Sequence, residues 1–517
     1  MGGLRKNPAA RHVGIELLCV SLPRETFFVM ADAVREMVIA RMVRERESAR
    51  VKTDERLRMT FWIFVFLLLT EGIFRRWILP GGVQNIFLVI RDPFVLYAVL
   101  IGLKAGYIRN GHAVMMMVLG VVSFVSALVF GHGNIVVAAY GVRIIFLYFP
   151  FIYICARVLR RDDVLMLGKV LVVMLIPMVA LTIVQFYSPQ SAFVNLGVGA
   201  DEEGAGFGGA LGYMRPPGIF TFIAGLTDYY GVTYGFLLYF LLSPEDSERM
   251  GLKKKFIIAC LIAYFISIPV SISRSHFVQT ALITSFFVVV LFVQGRAMKK
   301  IVPIICLLLI VFPLLMLIPS VQTFTEVFNT RFEGANESEG GLGNSAKNRL
   351  AGSFVGAFEH APVMGYGSGL FSNFGLKYIY GSTSVEESGS GRAQVFAYVE
   401  SETGRVLCED GLFVGLLIML VRWHVAFRLV VRSWRKLTRD GDCLPWLLLF
   451  LCGDLLCIGQ LKASYHLGFM TIIVVSSLTA LKYKRRGKVY SSGKGRIAAN
   501  NQEDGGQTSE EGESLSH

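Results

Sequence analysis

The sequence carries little charge. Asp, Glu, Lys and Arg make up 17% of its 517 residues, while 54% are apolar. A soluble protein could not cover that much apolar surface. What charge there is lies between long runs of Leu, Ile, Val and Phe. The alternating apolar and polar pattern of a transmembrane barrel is missing, which excludes that class. Cysteines are few: Cys19, Cys155, Cys260, Cys306, Cys408, Cys443, Cys452 and Cys457. Most fall in apolar runs or basic loops and none has metal-ligand spacing. No metal, cofactor or disulfide framework is therefore expected. A signal peptide is not expected either, because "GIELLCVSL" is too short and no small-residue cleavage site follows. No long internal repeat is visible.

What is present is a series of apolar runs, each of about 20 residues and long enough to span the hydrocarbon core as a helix. They fall near 60–80, 84–106, 113–131, 134–156, 163–187, 217–242, 255–271, 275–294, 301–319, 405–422, 443–461 and 464–482. The reading is an all-α, polytopic transmembrane bundle of about 12 spans. Its connections alternate in character. "KAGYIRNGH", "ARVLRRDD", "SPEDSERMGLKKK", "QGRAMKK", "RWHVAFRLVVRSWRKLTRD" and "KYKRRGK" are basic. "PGGVQ", "GHG", "SPQSAFVNLGVGADEEGAGFGG" and a long loop over 320–404 are short or acidic. Basic connections stay cytoplasmic. Both termini are thus predicted inside, and the 320–404 loop is predicted to be large and extracytoplasmic, with short helices. The same rule accounts for the net charge of +13 without nucleic acid as a partner.

Residues 1–59 read as a basic cytoplasmic arm of helical character. It is either a solvated helix, a surface for anionic lipid, or an extension upstream of a later start at Met30 or Met37. Residues 60–482 form the transmembrane domain, and 483–517 a polar, disordered tail. The string "GAGFGG" from Gly204 has dinucleotide-loop spacing, but no strand precedes it and it is taken as chance.

Several arginines break the charge rule. Arg75 and Arg76 lie near the outer end of the first span, Arg91 in the second, Arg143 in the fourth, Arg215 before the sixth, and Arg274 in the turn "SISRSHF". The embedded ones fall roughly 10–15 Å below the outer surface at 1.5 Å per residue. A buried cation is costly unless paired or hydrated. Glu71 and Arg75 are spaced to pair on one helix face, and Arg91 adjoins Asp92. Arg143, Arg215 and Arg274 have no acidic neighbour in sequence. Either they pair across helices with Asp228, Asp454 or the carboxylates at 400–410, or they line an outward pocket for an anion. The planar guanidinium fork suits a diphosphate, and bacterial outer-leaflet diphosphates are chiefly polyprenyl-linked sugars.

At these residues the chain resembles the bacterial O-antigen ligase and O-antigen polymerase superfamily. "RPPGIFTF", "SISRSHFVQTAL", "NRLAGSFVGAFEHAPVMGYGSGLF" and "SETGRVLCEDGLFVG" occur in the family's order. The resemblance covers about residues 60–482. It implies a glycosyltransferase of the bacterial inner membrane, serving polysaccharide biosynthesis in the cell envelope. Such an enzyme moves a glycan from a polyprenyl-diphosphate carrier, such as undecaprenyl diphosphate, to a glycan, lipid or protein acceptor. It does so beside the lipid bilayer without metal or nucleotide. It implies that Arg215 and Arg274, with Arg349, hold the diphosphate. Arg143, Arg91 and Arg405 are further candidates from their placement.

The sequence departs from the family at one point. Ligases place a His ten residues before the first Gly of the last motif, and here that position is Ser401, flanked by Glu400 and Glu402. A carboxylate is then a candidate base for the attacking hydroxyl, Glu402 ahead of Glu400. The alternative is a helix start, with the glutamates complementing the dipole and Glu409 paired to Arg405. His132, His276, His360 and His466 are other candidates. A multi-span transporter or flippase of lipid-linked glycans is the competing function, although transporters usually show matched halves and short outer loops. An inactive relative serving in assembly is a third.

Overall fold

The computed structural model describes residues 24–79, 83–198, 208–295, 318–347, 353–380 and 401–482. They are predominantly helical, with one two-stranded hairpin. The chain divides into two compact units, Met1–Leu57 and Arg58–His517. The first is described from residue 24 as the start of helix α1 (Arg24–Ile73), mostly exposed and charged.

Among the described residues, seven stretches are long and apolar enough to cross a membrane. They are Arg35–Ile78, Gly111–Val129, Ile135–Val158, Arg161–Tyr187, Arg274–Val293, Leu412–Asp440 and Ser464–Lys482. Their outward faces are apolar. On α3 (Gly111–Val129) Val118, Val121, Val122, Val125 and Val129 are exposed, while Met116, Leu119 and Ser123 face inward. Such a belt suits contact with lipid.

The other expected spans differ. Near 84–106 the helix proper is α2 (Asp92–Lys104), because Pro93 sets its first turn. Residues 134–156 give α4 (Ile135–Arg143), a π-helical turn and α5 (Phe149–Val158). Pro150 has no N–H for the carbonyl four residues back, which is the local cause of the irregular turn. Residues 163–187 give α6 (Arg161–Val173) and α7 (Leu175–Tyr187). Helix α8 (Ile223–Leu242) is buried on nearly every side. After the short α9 (Pro244–Arg249), α10 (Lys254–Val270) and α11 (Arg274–Val293) both pack on α8. The span expected at 301–319 lies almost wholly outside the described residues.

The 320–404 region carries α12 (Pro319–Glu339), α13 (Leu342–Lys347), α14 (Ser353–His360) and α15 (Asn373–Tyr380). A single span over 405–422 is not what forms. Gly411, at φ 83°, breaks the chain into α16 (Glu402–Asp410) and α17 (Leu412–Asp440). The run "RWHVAFRLVVRSWRKLTRD" continues α17 instead of connecting spans. The last expected spans are α18 (Leu444–Leu447) with α19 (Leu449–Cys457), then α20 (Ser464–Lys482).

The described residues of 130–134, 188–198, 208–222, 271–273, 318–347, 353–380, 401–411 and 458–463 lie at one end of the second unit. Two packing devices shape that end. The first is an aromatic knot. The hairpin of β1 (Gly208–Ala210) and β2 (Tyr213–Met214) turns through Leu211 and Gly212, both at positive φ. That is the two-residue geometry that matches strand twist. It lays Tyr213 on Phe186 with ring centroids 4.5 Å apart, and Phe324 of α12 meets Phe186 at 4.7 Å. Val270, Ile272 and Val327 complete the cluster.

The second device is the turn "GYGSG". Gly365 and Gly369 have φ 78° and 92°. A Cβ on Gly365 would fall 2.3 Å from the Glu409 carbonyl oxygen, and one on Gly369 would fall 2.2 Å from that of Val137. The missing side chains let Tyr366 and Gly367 donate to the Cys408 and Glu409 carbonyls at 2.8 and 2.9 Å, pinning the loop to the end of α16.

Phe186 joins three elements in the knot. Phe186→Ala is expected to lower stability by about 3–5 kcal/mol, read as a lower unfolding temperature of the purified protein in detergent.

Candidate functional site

Most arginines at this end have partners. Arg76 is a backbone anchor: it donates to the carbonyls of Val194 (3.0 Å), Leu196 (2.9 Å), Gly218 (2.7 Å) and Phe220 (3.2 Å). Gln185 joins it, donating to Val194 and Gly218 carbonyls and accepting from the Gly218 N–H. These bonds satisfy the non-helical stretch "RPPGIFTF", whose backbone groups would otherwise be unpaired in a poorly hydrated place.

Arg75 and Arg91 share Glu71, each at 3.2 Å. Ser464 at the start of α20 donates to the same carboxylate at 2.9 Å, and Arg91 donates to the Ser464 carbonyl at 2.6 Å. Arg143 pairs with Asp92 at 2.6 Å, and Tyr148 donates to the other Asp92 oxygen. Asp92 therefore serves Arg143, not its sequence neighbour Arg91.

The opening of α16 is equally committed. Ser401, standing where the resembled family has its His, caps the helix by accepting from the Gly404 N–H at 3.1 Å. One Glu402 oxygen pairs with Arg405 and the other with Arg422 of α17, at 2.8 Å. Arg422 also donates to the Leu456 carbonyl at 2.7 Å. Glu402 is thus gripped on both oxygens, the atoms that a base would use. Glu409 pairs with Lys462 instead of Arg405, and accepts from the Phe371 N–H at 2.7 Å. Ser123 donates to Asp410.

Arg215 and Arg274 are placed differently, together with Arg331 of α12. Each follows a member of the aromatic knot: Tyr213 precedes Arg215 by two residues, Ile272 precedes Arg274 by two, and Val327 precedes Arg331 by one helical turn. The knot thereby gathers three guanidinium groups from three elements. Burial and the charges of Arg331 and Arg274 lower Arg215 to about 10. It remains a cation at neutral pH, among like charges. Its Nε is buried without a hydrogen-bond partner. An anion of more than one charge would relieve both costs.

Arg143, expected beside Arg215 and Arg274, is held by Asp92. Arg143 acts electrostatically on Lys462, as does Arg405, and lies with the paired set. Arg349 and Glu400 lie outside the described residues. Arg331 escaped the reading, although the rule that flagged the other arginines applies to it equally. Arg422 was concealed in a run assigned to a connection. The histidines separate as well. His276 is buried, its ring stacked on Tyr230 at 4.7 Å, and His132 sits at the Ser368 carbonyl. His466 Nδ1 lies 2.6 Å from an Asp228 oxygen. Among the described residues, no group of three His, Cys, Asp or Glu is placed to hold a metal ion.

Removing one partner from a buried ion pair leaves the other charge uncompensated. Glu402→Gln keeps the side chain's shape but strands Arg405 and Arg422. We expect a loss of about 3–5 kcal/mol, measured as a fall in thermal unfolding temperature, with Arg422→Met losing less because the stranded charges are fewer.

Comparison with protein-family models, with curated proteins and with solved structures finds no match for the chain.

Proposed function

We propose that the chain is a polytopic membrane glycan transferase of the O-antigen ligase or polymerase type. It moves a glycan from a polyprenyl-diphosphate carrier to an acceptor hydroxyl at the outer face of the bacterial inner membrane. The observation that carries this reading is the convergence of Arg215, Arg274 and Arg331. Carboxylates hold Arg75, Arg91, Arg143, Arg405 and Arg422, and backbone carbonyls hold Arg76, whereas the charges acting on Arg215 are those of Arg331 and Arg274. A diphosphate offers several oxygens at a spacing that planar guanidinium forks accept two at a time.

In this reading about 12 segments cross the membrane, the termini are cytoplasmic and the 320–404 region is outside. The arginine trio then faces the leaflet in which the lipid-linked glycan waits. Transfer needs the diphosphate held while the acceptor oxygen attacks the anomeric carbon. Binding of the leaving group by fixed cations is the electrostatic part of that task. A flippase of the same lipid would use the same cations, so the product distinguishes the two.

The test is glycan transfer in liposomes that contain polyprenyl-diphosphate-linked oligosaccharide and an acceptor glycan. The double variant Arg215→Lys with Arg274→Lys should lose transfer by on the order of 10–100-fold, since a charged hydrogen bond contributes about 1.5–3 kcal/mol. Normal transfer in that variant would remove the diphosphate assignment. Movement of the lipid across the bilayer without a new glycosidic bond would favour the flippase.

The orientation is checked separately. With native cysteines replaced, Ser338→Cys should react with an impermeant maleimide on intact spheroplasts. Reaction only after lysis would reverse the topology.

A further inference from the structure

We infer that His466, held by Asp228, is the proton acceptor for the attacking hydroxyl. The inference rests on the transfer reading and names the group that completes it. His466 lies in the first turn of α20, and Asp228 lies in the second turn of α8. Their side chains meet at 2.6 Å through Nδ1. Asp228 is buried, while the His466 side chain keeps 17% of its surface open. Among the described residues none bonds to Nε2. A carboxylate on one ring nitrogen fixes the tautomer, leaving the other nitrogen with its lone pair free.

One segment connects this pair to the anion site. "RPPGIFTF" begins at Arg215 and ends at Phe222, whose ring stacks on Tyr465 at 5.8 Å. Tyr465 adjoins His466, with ring centroids 4.6 Å apart. One short segment thus runs from a proposed diphosphate ligand to the base. The titratable groups facing His466 are Asp228 from α8, Asp454 from α19 and Tyr465 from its own helix. Arg405 of α16 acts on Tyr465. The two carboxylates suit a ring that becomes a cation during the step.

The step balances. The acceptor oxygen forms a bond to the anomeric carbon as the bond from that carbon to the diphosphate oxygen breaks. The hydroxyl proton passes to His466 Nε2, and the electron pair of the broken bond leaves on the diphosphate, where arginines receive it. The imidazolium then returns its proton to water. Glu402 has no part in this chemistry, because both of its oxygens are held by arginines.

The experiment measures transfer and donor binding in the same liposomes across pH 5–9. Wild-type turnover should fall on the acid side, as expected of a reaction that needs a general base. His466→Gln should bind the donor within about threefold of wild type, lose turnover by about 100-fold or more, and lose the acid limb from what remains. Asp228→Asn should also bind donor and lose turnover, while Glu402→Asp, a shorter anchor, should leave the acid limb in place. Near-normal turnover of His466→Gln with its acid limb intact overturns the inference and leaves the transfer reading standing. If the variants fail to fold, a wild-type profile flat over this range overturns it equally. Wild-type protein that binds donor but transfers nothing overturns the transfer reading itself, and the base with it.

Discussion

A guanidinium taken out of water costs several kcal/mol unless something replaces its hydration. That cost organises one end of this molecule. Arg76 receives four backbone carbonyls in place of water. Arg75, Arg91, Arg143, Arg405 and Arg422 receive carboxylates. Several of these pairings tie separate elements together. Glu71 links α1 to α20, Asp92 links α2 to α4, and Glu402 links α16 to α17. The polar residues that looked anomalous are therefore also the fasteners of the bundle.

The same cost makes the exception informative. Where an apolar knot brings Arg215, Arg274 and Arg331 together, folding gathers like charges instead of separating them. A fold built only for stability gains nothing from this. A fold that must capture a multivalent anion gains a site whose charge is concentrated before the ligand arrives.

Hydrophobic runs and loop charge made the helical class and several long spans legible, because lipid imposes both on sequence directly. Pairs close in sequence were legible too: Glu71 with Arg75 follows from helix periodicity. Pairs across helices were not. Asp92 stands next to Arg91 in sequence, yet tertiary packing turns it to Arg143. Gly411 gave no signal in hydropathy, so the break between α16 and α17 was read as one span and Arg422 was misplaced with it. Helical spacing offered Glu409 as the partner of Arg405, but Arg405 pairs with Glu402, whose second arginine comes from the next helix. The role of Ser401 as a cap was hidden behind the question of which residue replaced a histidine.

The bonds from Arg76 and Gln185 have a consequence for molecular recognition. They lock two non-helical strips, 194–196 and 218–220, to one another and to the end of the first membrane stretch. The backbone leading from Arg215 is consequently rigid. Capture of an anion there requires little loss of conformational freedom, so more of the ion-pairing energy is retained as affinity. Rigidity also bears on selectivity: for the proposed diphosphate, an inflexible cradle would accept charge groups at one separation and reject others.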